Sequence, residues 1–313
     1  MNWFGISTYA DAAGRLRMGL VVDAKVYDAQ AAMVAAGLGH ALPEGGLGEV
    51  LATWEGSGAP VLTALRGAAA HLLRTGTGSL SVQTGALSVP YQPQRIFATA
   101  SNFYEHAAEM GTKLAPRAES SPYIFMKADT SVTATHTNVV MPPNTERLDW
   151  EVELAVVIGR GGRHIPVEQA YEHIAGYTVI NDISARDLNR RSDYPFSHDW
   201  FRGKSFDTFG PMGPWFVPKE CIANPQNLRM RLTVNGEVMQ DATTEGMIFN
   251  IAEQIAYLSN ILTLRSGDLI ATGTPTGVGM GRGVYLRPGD VMVASIDQIG
   301  SIENRIVAQG QAV

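Results

Sequence analysis

The chain has 313 residues, with 24 Lys and Arg against 30 Asp and Glu and a formal net charge of −6. Charged residues are only 17%, while Gly (33) and Pro (16) are plentiful, which describes a compact, loop-rich protein rather than a disordered one. No basic stripe is present to bind phosphates, the single Cys221 excludes a disulfide framework and a CxxC zinc site, and no apolar run nears the ~18 residues that span a bilayer. Neither nucleic acid nor a membrane is therefore an expected partner.

At about 150 residues per domain, two domains are expected. The opening residues, Met1-Asn-Trp-Phe-Gly-Ile6, lack a basic stretch followed by an apolar one, so no signal peptide is read there and a cytoplasmic location is expected. Residues 6–9 and 16–22 read as short strands around an Asp11–Gly14 turn. Two Ala-rich stretches follow, residues 27–36 and 61–73, the second with apolar residues at helical spacing. His40 and His71 stand alone. Residues 1–94 read as a small accessory domain, and residues 88–94, with two prolines, as a linker.

From Arg95 the texture changes to recurring strands, at residues 154–158, 177–180, 230–234, 268–272 and 291–296. Asn235-Gly236 between two strand-like runs is a type I′ hairpin signal. Helices are expected over residues 166–175, with Pro near the start and Gly176 as the cap, and over residues 247–262. Residues 95–313 thus form a β-rich unit with a few covering helices.

Three constellations carry chemistry. Glu151 and Glu153 lie two apart at the start of a strand and so share a face. Two carboxylates ~4 Å apart repel by about 4 kcal/mol at an effective dielectric of 20, which solvent, a shared proton or a cation must offset. Asp182, at the end of another strand, would complete a set of hard oxygen ligands suited to Mg²⁺, Mn²⁺ or Ca²⁺. Taken singly, the pair also fits a solvated sheet face and Asp182 a turn residue. His106 and Glu109 are neighbours on a helical turn, so the carboxylate can fix the imidazole tautomer, or the two can be an ordinary exposed pair. Arg186, in a stretch that ends at Asn189, and Lys204 can receive a carboxylate or an oxyanion, or simply compensate charge. The glycine-rich run Thr272-Gly-Thr274-Pro-Thr-Gly-Val-Gly-Met-Gly281 lacks the spacing of a dinucleotide loop.

In order, these stretches resemble the fumarylacetoacetate hydrolase family. Eight carry the likeness: Asn102 to Glu109, Phe125-Met-Lys-Ala-Asp-Thr-Ser131, Asp149 to Gly159, Gly176 to Asn189, Lys204 to Pro214, Val234 to Glu237, Met247 to Ile251, and Gly267 to Gly279. The chain departs from the family with Phe103 for Tyr, Asn189 for Gln and Ala128 for Pro.

The resemblance implies an α+β, β-rich fold, a mixed β-roll catalytic domain behind the small N-terminal α/β accessory domain, assembled as a homodimer. It implies a divalent cation on Glu151, Glu153 and Asp182, with His106 and Glu109 on a lid and with Arg186, Asn189, Lys204 and Thr274 lining the substrate site. The activity it implies is cleavage of a carbon–carbon bond in a small-molecule diketo acid or acylpyruvate, with His106 activating water and Lys204 stabilising the departing enolate. Decarboxylation or tautomerisation of an oxaloacetate-like acid is the alternative on the same fold. A catalytically silent metal- or ligand-binding protein is the alternative of another class. The aromatic residues Tyr194, Phe196, Trp200 and Phe201 read either as a wall of the site or as surface packing.

Overall fold

The first hairpin closes around Asp11, whose carboxylate accepts the backbone N–H groups of Ala13 and Arg15. Its strands are β1 (Gly5–Ala10) and β2 (Leu16–Val22), followed by β3 (Lys25–Asp28). The structure is a computed structural model and describes residues 3–39, 41–76 and 87–311; His40 lies outside them. Asp28 caps α1 (Ala29–Ala35), so the first Ala-rich stretch divides between a strand end and a helix. After α2 (Gly46–Ala52), α3 (Ala59–Thr75) contains the predicted helical residues and ends at Gly76 in the left-handed conformation, φ 62°.

Next come β4 (Leu87–Ser88), β5 (Ile96–Ala100), α4 (Tyr104–Glu109) and β6 (Tyr123–Lys127). The short β7 (Val132–Thr133), β8 (Val139–Met141) and β9 (Leu148–Asp149) lead to the central β10 (Val152–Ile158) and β11 (Ile174–Asn181). Then follow β12 (Ser184–Ala185), α5 (Trp200–Lys204), β13 (Gly210–Pro218), β14 (Arg229–Val234) and β15 (Glu237–Thr243). The chain ends with α6 (Ile251–Ile261), β16 (Leu269–Ala271), α7 (Gly279–Arg282), β17 (Val291–Ile296) and β18 (Gly300–Ala308).

Among the described residues an 11-stranded sheet runs β3-β2-β1-β13-β11-β10-β16-β5-β6, with β4 on β1 and β7 on β13. A second, five-stranded sheet runs β15-β14-β17-β18-β8. Alternation along β10 explains the layering. Val152, Leu154, Val156 and Ile158 join the core beneath α6 and the second sheet, whereas Ala155 and Val157 join the core beneath α1 and α3. The N-terminal hairpin continues the large sheet through Ile6 opposite Phe216, and Ser88 pairs with Thr8.

Two expected helices differ. Residues 166–175 form a 3₁₀ segment, Val167–His173, that runs directly into β11. Gly176 is a close-approach glycine rather than a cap: a Cβ there would lie 2.3 Å from Val217 O and 2.5 Å from the Phe216 ring. The predicted 247–262 helix begins only at Ile251, because Asn250 caps it and Glu253 returns the bond to the Asn250 N–H. Asn235 and Gly236 both have positive φ, 51° and 85°, and join β14 to β15 as expected of a type I′ turn.

Candidate active site

The register of β10 on β11 sets Val152 opposite Asn181, so Glu151 and Asp182 meet where the two strands end. The Asn181 amide oxygen accepts the Glu151 N–H at 2.9 Å, and Glu151 O accepts the Asp182 N–H at 2.9 Å. Glu153, one pleat along, joins them. One carboxylate oxygen from each of Glu151, Glu153 and Asp182 lies within 4.8 Å of the others, and the three residues are 4%, 2% and 1% exposed. A solvated sheet face is thereby excluded.

Three cationic side chains hold this cluster. Arg186 donates to Asp149 (2.8 Å) and to Glu151 (2.5 Å), while Lys204 donates to Glu151 (2.7 Å) and Asp182 (2.6 Å). Lys127 donates to Asp182 at 2.6 Å and to the Lys204 carbonyl. Four carboxylates, counting Asp149, thus face three cations. The burden falls on Glu153: burial, then the charges of Asp182 and Glu151, push its carboxyl well above the usual range. Glu151 goes the other way: against the effect of burial, the charges of Arg186 and Lys204 hold its carboxyl well below the usual range. Burial lowers the Lys127 ammonium against the pull of Asp182, whereas Asp182 and Glu151 overcome burial and raise Lys204. A buried all-oxygen set with excess negative charge fits a hard divalent cation.

Asn102 sets the position of α4. Its amide donates to Phe249 O and Thr272 O and accepts the Phe249 N–H. On α4, His106 is 5% exposed and its Nδ1 lies 2.9 Å from Glu109 Oε1. Glu109 also accepts the Thr276 hydroxyl at 2.8 Å and the Gly277 N–H at 2.9 Å. Burial raises this carboxyl, but the bonds from His106, Gly277 and Thr276 prevail and hold it below its ordinary value. An ionised carboxylate only accepts, so Nδ1 carries the proton and Nε2 is left as the basic nitrogen.

The glycine-rich run has a role the sequence did not disclose. Its amides at Gly273, Gly277 and Gly279 donate to Glu153, Glu109 and Asp149 respectively. Lys127 and Asp149 are further site residues; both lie in stretches that carry the family resemblance, but only folding shows their partners.

Glu151, Glu153, Asp182, His106, Arg186, Asn189, Lys204 and Thr274 all line one cavity of about 160 Å³, with Glu109 behind His106. Arg186 is engaged by two carboxylates, and the Thr274 hydroxyl by Val152 O and Gln240. Asn189 Oδ1 is buried without a hydrogen-bond partner among the described residues. Of the loop aromatics, Trp200 lines the cavity and packs on Phe125 at 5.0 Å, while Tyr194, Phe196 and Phe201 are exposed.

A β-rich α+β fold with a buried carboxylate triad facing a His–Glu pair defines a class of enzyme, and comparison with known proteins agrees. Residues 95–307 match the fumarylacetoacetate hydrolase C-terminal family, and the chain belongs to that family. Mitochondrial oxaloacetate tautomerase Fahd2a of Rattus norvegicus is 39% identical over 218 residues, 69% of this chain and 67% of that protein. Fumarylacetoacetate hydrolase from Exiguobacterium antarcticum superposes with a TM-score of 0.76 at 29% identity, covering 98% of this chain and 100% of that one. Fumarylpyruvate hydrolase from Pseudomonas aeruginosa, in complex with Mn²⁺ and pyruvate, gives 0.63 at 31% identity, over 73% of this chain and 98% of that one. Among the described residues no helix is long and apolar enough to cross a membrane.

Proposed function

We propose that this protein interconverts the keto and enol forms of a short 2-oxo acid of the oxaloacetate type, with a divalent cation, Mg²⁺ or Mn²⁺, held by Glu151, Glu153 and Asp182. The carrying observation is that the carboxylate triad and the His106–Glu109 pair line one compact cavity. A cation bound there supplies Lewis-acid polarisation of the 2-oxo group. His106 Nε2 takes the proton from C3 as the C–H electron pair forms the C2=C3 bond, and Glu109 steadies the resulting imidazolium. The Lys204 ammonium has three N–H donors and uses two on Glu151 and Asp182. The third is available to the oxygen that gains charge at C2; the proton taken up by His106 then passes to that oxygen by way of solvent, which gives the enol and restores the neutral imidazole.

The likeness to the rat oxaloacetate tautomerase supports this reading. Carbon–carbon hydrolysis of an acylpyruvate is the second reading, favoured by the fumarylpyruvate hydrolase neighbour; there His106 would take its proton from water. Exposed Tyr123, Met126 and Phe201 on and beside the edge strand β6 support a homodimer.

The test is the decay of enol absorbance of oxaloacetate with Mn²⁺, against a chelator control and with products identified. Chelation is expected to abolish turnover and addition of Mn²⁺ to restore it; unchanged turnover of the chelated protein would refute the metal-assisted reading. Pyruvate and a carboxylic acid from an acylpyruvate would establish hydrolysis instead. A further variant tests the wall of the site. A methyl on Gly203 would stand 1.7 Å from Asn189 Oδ1 and 2.9 Å from Ala185 O. Gly203→Ala should therefore displace Asn189 and lower kcat/KM by roughly 10- to 100-fold, with cation affinity measured by calorimetry unchanged.

A further inference from the structure

Every cationic side chain on the carboxylate cluster is already paired: Arg186 with Asp149 and Glu151, Lys204 with Glu151 and Asp182, Lys127 with Asp182. Arg190 lines the same cavity while remaining exposed, and its guanidinium makes no hydrogen bond or ion pair among the described residues. The acidic groups of its loop are bound elsewhere, since Arg191 holds both Asp193 and Asp199. The backbone of Arg190 is nevertheless fixed. Arg190 bridges to His198, and Asn189 O accepts the Asp199 N–H at 2.8 Å. Beyond that bridge, Trp200 is seated against Phe125 and Tyr123.

Charge balance gives this arginine a purpose. Five carboxylates, Asp149, Glu151, Glu153, Asp182 and Glu109, against the three cations Lys127, Arg186 and Lys204 leave two negative charges, which a divalent cation would cancel. The cluster then has no positive charge to spare for the carboxylates of a substrate beyond the cation itself. A second carboxylate at the far end then has no counter-charge in the cavity except Arg190, whose planar fork suits a carboxylate. Resting on the function proposed above, we infer that Arg190 is the specificity-determining residue: it binds the distal carboxylate and makes the site selective for 2-oxo dicarboxylates over 2-oxo monocarboxylates of equal length.

The experiment is calorimetric binding of 2-oxoglutarate and of 2-oxopentanoate to the Mn²⁺-loaded protein. The two acids share a five-carbon chain and differ at the far end. The wild type is expected to prefer 2-oxoglutarate by about tenfold or more. Arg190→Met should bring the two affinities within about twofold by weakening 2-oxoglutarate alone, and Arg190→Lys should keep part of the preference. Equal binding by the wild type, or a preference that survives Arg190→Met, overturns the inference and leaves the metal site standing. Binding of neither acid overturns the site reading and the inference together.

Discussion

Glu153→Gln is expected to make the metal-free protein more stable and the enzyme inactive. Its carboxyl is buried beside Asp182 and Glu151, and Lys204 offsets only part of that repulsion. Two carboxylates at ~4 Å repel by about 4 kcal/mol at an effective dielectric of 20, so relieving part of this should yield about 1–2 kcal/mol. The amide keeps an oxygen to accept the Gly273 N–H. The measurement is Tm with and without Mn²⁺. In the wild type Mn²⁺ should raise Tm by mass action, whereas the variant should start a few degrees higher and respond weakly. A variant that is less stable without metal yet still responds fully would show that Glu153 is a structural carboxylate and not a ligand.

His106→Ala should reduce kcat by about 10²–10⁴-fold while Mn²⁺ affinity is retained. The imidazole is not a member of the oxygen triad; its hydrogen bond is to Glu109, which is in turn anchored by Thr276 and Gly277. Glu109→Gln should be milder, since the amide still occupies the same pocket but loses the charge that stabilises an imidazolium. Steady-state kinetics with metal titration separates the two effects. Full activity in His106→Ala would assign proton transfer to another group.

Much of this site was legible in the sequence because its geometry is local. Glu151 and Glu153 share a face by the two-residue period of a strand, and His106 and Glu109 meet by the three-residue step of a helix. Asp182 needed only the inference that it ends a strand. What stayed hidden depends on partners far along the chain. Lys127 finds Asp182, 55 residues away, and the Gly279 amide finds Asp149, 130 residues away. Arg186 lines the cavity, but its bonds to Asp149 and Glu151, 37 and 35 residues away, show only in the fold. The same limit explains the misread 166–175 helix, since the signal of Gly176 was tight packing against β13, which no local pattern reveals.

The pairing of Ile6 with Phe216 has a consequence for biosynthesis. At 5–20 residues per second, β1 leaves the ribosome roughly 10–40 s before its partner β13 is made. During that interval the hairpin can close on itself, but Phe4, Ile6 and Leu20 await the shared cluster that later includes Ile180, Met212 and Phe216. The β1–β2 hairpin is thus made well before its sheet partner and is fully packed only after it. A shortened protein beginning near residue 95 would avoid the wait, but it would expose the β13 edge and its apolar neighbours, a surface prone to pair with other chains.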